Sequence, residues 1–214
     1  QKHVLGMGYI METLNIKGRQ YHYQQVENAF TQPNACVNEK MITWACQSIE
    51  RFGNTDKPDL LELYCGNGNF TVPLAAQFRK VMATEIAKSS VNSAHFNLAE
   101  NNVDNVTIVR LSSEEMTQAL AGVRAFRRLA DVDLTSFEFG TILVDPPRAG
   151  LDPDTLRLVQ QFDQVIYISC NPETLLDNLQ ELKQTHDLKR LALFDQFPYT
   201  HHAECGVVLH KRNS

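Results

Sequence analysis

Cys170 has the widest chemical reach in this chain, because of the residues around it. It follows Val165-Ile166-Tyr167-Ile168, a run that reads as a strand buried on both faces. Asn171-Pro172-Glu173 comes next, and proline cannot extend a ladder but fits the first turn of a helix. Glu173 stands where an acidic side chain favours a helix N-terminus. Cys170 is therefore expected at the carboxyl end of a strand, facing a helix N-terminus, where open α/β sheets bind ligands. That position favours the thiolate, the nucleophilic form. A lone cysteine is most often a small buried hydrophobe, so the other strand ends must decide.

Two of them carry groups that suit a nucleoside cofactor. Gly66-Asn67-Gly68-Asn69 closes the run Leu60–Tyr64, and glycines there let the backbone approach a ligand closely. Such turns also occur for structural reasons alone. A dinucleotide fingerprint wants a third glycine at position 71, where this chain has Thr71, so a nicotinamide cofactor is disfavoured. Glu85 ends the next strand, 17 residues after Gly68, where a carboxylate can accept hydrogen bonds from ribose hydroxyls. A nucleoside without a pyrophosphate fits this pair, and S-adenosylmethionine is the natural candidate.

A further strand ends in Asp145-Pro146-Pro147-Arg148, a stiff loop that holds Asp145 and Arg148 on a fixed frame. Alone, it reads as a rigid turn capped by a salt bridge. Enzymes that methylate an exocyclic amino group follow a similar turn with an aromatic that stacks on the base. Arg148 takes that place, which argues against amino-group methylation.

The elements that must position these groups alternate. Residues 60–64, 80–84, 106–111, 141–144 and 165–168 read as strands, with helical patterns between them. The spacing predicts a helix from Phe70 to about Phe78, and another over 87–101 with Val91, Ala94, His95 and Leu98 on one side. Ser112-Ser113-Glu114-Glu115 fits a capping box, with a helical face running through Met116, Leu120, Val123 and Arg127. One helix starts at Pro153; the helix after Cys170 turns Leu175, Leu176, Leu179 and Leu182 to the core. Strands near Leu188–Phe194 and Cys205–His210 close the chain. This is an α/β fold: a doubly wound, mostly parallel, Rossmann-like sheet.

Before it stands a smaller unit. Tyr9–Ile16 and Arg19–Tyr23 flank Lys17-Gly18 as a hairpin, Asn34 is a candidate N-cap, and Val37, Met41, Trp44, Ala45 and Ser48 recur at helical spacing. The polar stretch Asn54–Asp59 reads as a linker, dividing the chain into an appendage over 1–53 and a main domain over 54–214.

Composition sets outer limits. The 214 residues are 43% hydrophobic, and no segment is apolar for long enough to span a bilayer, so no membrane is expected. A net charge of −5 argues against indiscriminate nucleic-acid binding but leaves room for a local RNA-binding face. Five cysteines without a Cys-x-x-Cys pair suggest free thiols in a reducing, cytoplasmic setting. The first residue is Gln1 and patterned sequence follows at once, which suggests a fragment of a longer protein. His201, His202, Glu204 and Cys205 make a poor metal set, because adjacent histidines usually point apart and no second ligand pair follows. A Cys-His hydrolase leaves the glycine loop and Glu85 unexplained. Arg124, Arg127, Arg128, Lys183, Lys189 and Arg190 read as solvated faces that are also suited to RNA phosphates.

Three blocks in this order, Asp145-Pro-Pro-Arg148, Tyr167-Ile-Ser-Cys170-Asn-Pro and His202-Ala-Glu204-Cys205-Gly, resemble the RNA uracil-5-methyltransferases. That family uses S-adenosylmethionine. The likeness is greatest to its bacterial tRNA branch, which makes ribothymidine in the T-loop, and it extends over nearly the whole chain. The rRNA branch shares the turn and the cysteine block, but Cys205 favours tRNA. The resemblance implies the catalytic half of a longer enzyme, with RNA docking shared with an N-terminal region outside this chain. It implies cofactor contacts from Gln32, Tyr64, Asn69, Glu85 and Asp145, with Cys170 as nucleophile and Glu204 as general base. The glycine-loop reading adds Gly66 to the cofactor contacts. A cofactor-binding or RNA-chaperone module without chemistry of its own is the alternative from another class.

Overall fold

In the computed structural model, residues 6–52, 56, 58–200 and 202–212 are described. Residues 54, 55 and 57 of the linker stretch and His201 lie outside them. Strands β1 (Tyr9–Ile16) and β2 (Arg19–Val26) form an antiparallel hairpin that turns at Lys17-Gly18. The second strand runs three residues beyond the expected Tyr23. Helix α1 (Ala35–Phe52) follows, and Asn34 Oδ1 accepts from Val37 N at 3.2 Å, as an N-cap does.

Seven strands build the main sheet: β3 (Asp59–Leu63), β4 (Lys80–Thr84), β5 (Val106–Val109), β6 (Phe139–Val144), β7 (Gln164–Ser169), β8 (His186–Phe194) and β9 (Glu204–Lys211). Their spatial order is β5-β4-β3-β6-β7-β9-β8. The first five run parallel, and β9 is antiparallel between β7 and β8. Every residue of β3 and β7 is buried, as expected of central strands covered on both faces.

Two hydrophobic layers flank the sheet. On one face Leu60, Ala83, Leu143, Ile166 and Val208 pack with Val91, Ala94 and Leu98 of α3 (Lys88–Glu100). Leu14 and Tyr23 of the hairpin and Met41 and Trp44 of α1 join the same cluster. Gly206 on β9 belongs to this layer for a steric reason: a Cβ there would come within 2.9 Å of the Trp44 ring. On the other face Leu61, Ile142, Val165 and Val207 pack against α4 (Ser113–Leu120), α5 (Pro153–Val159) and α6 (Pro172–Leu182).

Several local expectations change. The helix expected from Phe70 is a single α turn, α2 (Thr71–Leu74), followed by a 3-10 turn over Ala75–Gln77. The capping box forms, with Ser112 Oγ accepting from Glu115 N and Glu115 Oε2 from Ser112 N, each at 3.1 Å. Helix α4 nevertheless ends at Leu120 and does not reach Arg127. Gly122, at φ +67°, donates to Ala119 O, and Val123 N donates to Gln118 O, a glycine-terminated stop that leaves Val123 exposed. His95 and Leu176 also face outward. Arg190 is no freely solvated cation: it lies 5.1 Å from the Trp44 ring centre and donates to Trp44 O and Ser48 Oγ.

Candidate active site

Strand register alone brings the chemistry together. Leu63 is level with Thr84 on β4 and with Val144 on β6, so the next residues, Tyr64, Glu85 and Asp145, leave the sheet side by side. Ser169 on β7 pairs antiparallel with Cys205 on β9. One step further along each strand sets Cys170 beside Glu204. Asn171 caps α6 by accepting from Glu173 N at 3.2 Å, and Pro172 fills its first position. This fixes Cys170 between strand end and helix start.

All these ends open on one cavity of about 810 Å³. Its lining includes Gln32, Tyr64, Gly66, Asn69, Glu85, Asp145, Cys170 and Glu204, so every site residue expected from the sequence reaches the same space. Phe30 and Ile86 also line it and are 74% and 67% exposed. Large apolar side chains bared toward a cavity suit a flat, partly apolar ligand.

The glycine loop is tied down on several sides. Tyr64, Gly66 and Gly68 take positive φ values of 62°, 57° and 85°, which turn the chain sharply at the end of β3. Tyr64 Oη donates to Ser113 Oγ at 2.7 Å. Glu85 accepts from Gly66 N at 3.1 Å and from Ala87 N at 2.7 Å. A carboxylate has about four acceptor positions, so capacity remains for a ligand's hydroxyls.

The electrostatics overturn one expectation. Burial pushes the Cys170 thiol up, and the charges of Glu204 and Asp145 push it further, with Arg148 opposing. The thiolate is thus disfavoured here, because lost solvent and two neighbouring carboxyls both penalise its charge. Burial raises Glu204 to about 7, and burial together with the Glu204 charge raises Asp145 to about 8. Beneath the loop, Glu62 is wholly buried and raised to about 8, chiefly by desolvation.

Sequence reasoning missed the residues that brace the loop. Asn38 and Asn69 exchange side-chain amide bonds at 2.8 and 2.9 Å, and Tyr23 Oη donates to Asn69 O at 3.0 Å. Asn97 of α3 donates to Asn67 O at 2.9 Å and accepts from Gln24 N at 2.7 Å. The partners lie 30 to 73 residues apart, so no local spacing announces them. For Asn38 and Asn97 the only sequence signal is asparagine in an otherwise patterned helix.

Residues 1–212 match the family described as tRNA (uracil-5-)-methyltransferase. The chain belongs to that family. A Pseudomonas aeruginosa (strain LESB58) tRNA/tmRNA (uracil-C(5))-methyltransferase is 61% identical over 98% of the chain and 56% of its own length. Its Pseudomonas fluorescens (strain Pf0-1) counterpart is 59% identical over 99% of the chain and 58% of its own length. The chain thus spans little more than half of these relatives. Among solved structures, Pyrococcus abyssi tRNA (uracil-54, C5)-methyltransferase in complex with S-adenosyl-L-homocysteine superposes with a TM-score of 0.72 at 26% identity. That match covers 96% of this family member and 45% of the archaeal chain.

Proposed function

We propose that this chain is the catalytic part of a cytoplasmic enzyme that methylates carbon 5 of a tRNA uridine, with S-adenosylmethionine as donor. The observation that carries the reading is the convergence of Cys170, Glu204 and Asp145 on one cavity with the glycine loop and Glu85. Tyr64, Gly66, Asn69, Glu85, Asp145 and Gln32, which line this cavity, would hold the donor, and the exposed Ile86 and Phe30 would offer its adenine an apolar surface. When bound, the donor supplies an electrophilic methyl group.

Carbon 5 of uracil is a poor nucleophile because the ring is conjugated and electron-poor. Cys170 Sγ adds to carbon 6, which breaks the conjugation and places an enolate across carbon 5 and oxygen 4. Arg148 and backbone N–H groups at the strand ends are the donors suited to that oxygen. Carbon 5 would then take the methyl while still carrying its proton. The methyl–sulfur bond of the sulfonium would break with its electron pair left on sulfur, so that the neutral thioether S-adenosylhomocysteine departs. Glu204 removes the proton, the electron pair restores the ring double bond, and the carbon–sulfur bond breaks to free Cys170. A base held near 7 is matched to this work at neutral pH. The raised thiol also fits the order of events: Cys170 stays neutral until substrate arrives and gives up its proton as it adds to carbon 6. The ionised form of Asp145 is the acceptor, which leaves Glu204 unprotonated for the carbon-5 proton.

Reaching carbon 6 requires an unstacked base, so a loop uridine suits better than a paired one. The T-loop is the proposed target: the Pyrococcus abyssi relative is named for uracil-54, and the Pseudomonas names add tmRNA. RNA docking is shared with the part of the full-length protein outside this chain.

The two roles fail at different steps, which gives the test in full-length protein. Cys170→Ala forms no covalent protein–RNA species and moves no methyl group. Glu204→Gln accumulates a methylated adduct, as does unmutated enzyme on a target base with fluorine at carbon 5. Denaturing gels and mass spectrometry read both. Adduct formation by Cys170→Ala, or normal turnover by Glu204→Gln, refutes the assignment.

A further inference from the structure

Gln196 lies in the loop between β8 and β9, ahead of Glu204, and is only 2% exposed. Its Nε2 donates to Gln32 Oε1 at 2.9 Å and to Met41 Sδ at 3.2 Å. Its own Oε1 is buried without a hydrogen-bond partner. An apolar side chain of the same size would leave no such orphan, so the polar group calls for a reason.

The thioether supplies it. Sulfur in Met41 can only accept, so the Gln196 atom facing it must be the nitrogen. The other hydrogen of that nitrogen then points at Gln32, which must answer with its oxygen. The Gln32 amide is thereby locked with its NH2 end as the one left for the cavity. We propose that Gln196 is a positioning residue that sets Gln32 as a hydrogen-bond donor, selecting an acceptor such as the carboxylate or a hydroxyl of the methyl donor. This rests on the reading that Gln32 contacts that donor. It also ties the loop carrying Glu204 to the loop carrying Gln32.

Calorimetry with S-adenosylhomocysteine on full-length protein tests the idea. Gln32→Ala weakens binding by about tenfold, the order expected for one lost polar contact. Gln196→Glu presents only acceptors to Gln32, turns the amide round and weakens binding by at least as much; Gln196→Met, which merely releases the amide, weakens it less. Combined with Gln32→Ala, neither Gln196 change weakens binding further. In turnover assays the KM for the donor rises while kcat at saturating donor changes less, a split that general damage to the fold does not give. Unaltered binding in Gln32→Ala refutes the contact itself. Normal loss in Gln32→Ala with an undiminished further loss from Gln196→Met or Gln196→Glu refutes the positioning role. Gln196→Met keeps the test intact if Gln196→Glu does not fold.

Discussion

The two ends of β3 treat a buried carboxylate in opposite ways. At the amino end Asp59 is fully enclosed, yet every lone pair has a use. Arg79 grips it through Nε at 3.0 Å and Nη2 at 2.6 Å, and Lys80 N and Glu138 N donate at 3.1 and 2.6 Å. Burial pushes this carboxyl up, but those hydrogen bonds outweigh it and hold Asp59 below the usual carboxylate range. Three residues on, Glu62 is equally enclosed, its Oε2 has no partner, and it is raised to about 8. Beside it, Asp145 and Glu204 are held at about 8 and about 7 with no hydrogen bond to their carboxyl groups among the described residues. One end of the sheet satisfies its charges and secures the fold. The other leaves them short of partners, and groups that are short of partners are free to bind and exchange protons.

The contrast can be broken from either end. The largest effect is expected at Glu204. Glu204→Gln lowers turnover by roughly a hundred- to ten-thousand-fold without lowering the thermal midpoint. In the unmutated enzyme the rate of adduct resolution rises with pH with a midpoint near 7, and Glu204→Gln removes that limb. Next comes Asp59→Ala, with the opposite signature. It strands the Lys80 and Glu138 N–H groups at about 1–3 kcal/mol each, seen in urea denaturation, while activity per folded molecule is kept. Because the folded-state value of Asp59 is depressed, its contribution is present at neutral pH and is lost as pH falls through that value.

Glu62→Gln sharpens the comparison with a gain instead of a loss. The folded value near 8 lies above the unfolded one, so the native state binds more protons between them. Stability is full below the unfolded value and falls as pH rises toward 8. Glu62→Gln should raise stability at pH 8 by about 1 kcal/mol or more, since each tenfold change in proton affinity between the two states is worth about 1.4 kcal/mol. It should change little at pH 5; a constant difference across that range would contradict the assignment. Smallest is Tyr23→Phe, which frees Asn69 O from its donor. It costs about 1 kcal/mol in stability and weakens donor binding without changing the pH midpoint.

The strand ends were legible in the sequence because each is announced locally. An apolar run stops at Gly66, at Asp145-Pro146-Pro147 or at Cys170-Asn171-Pro172, and β-sheet rules put successive ends on one edge. Cys170 and Glu85 emerge from that logic unaided. Gln32 and Glu204 came only through family resemblance, since a polar loop residue and one glutamate among many carry no local mark. The misplaced end of α4 has a local cause too: Gly122 sat in the helical pattern, and its role as a stop depended on adopting φ +67°.

What the sequence by itself determined is the order of elements, the edge where ligands meet them and the chemical types delivered there. Periodicity and helix-stop residues act over a few positions, and those signals survive without the fold. The tertiary structure alone decided the state of those groups. Whether Cys170 is held as thiol or thiolate depends on how far the fold buries it and on the carboxyls of Glu204 and Asp145, which lie 34 and 25 residues away in the chain. Which end of Gln32 faces the cavity depends on Gln196, 164 residues on. Charge and orientation are set by whatever lies within a few ångströms, and nothing in the linear pattern measures that distance.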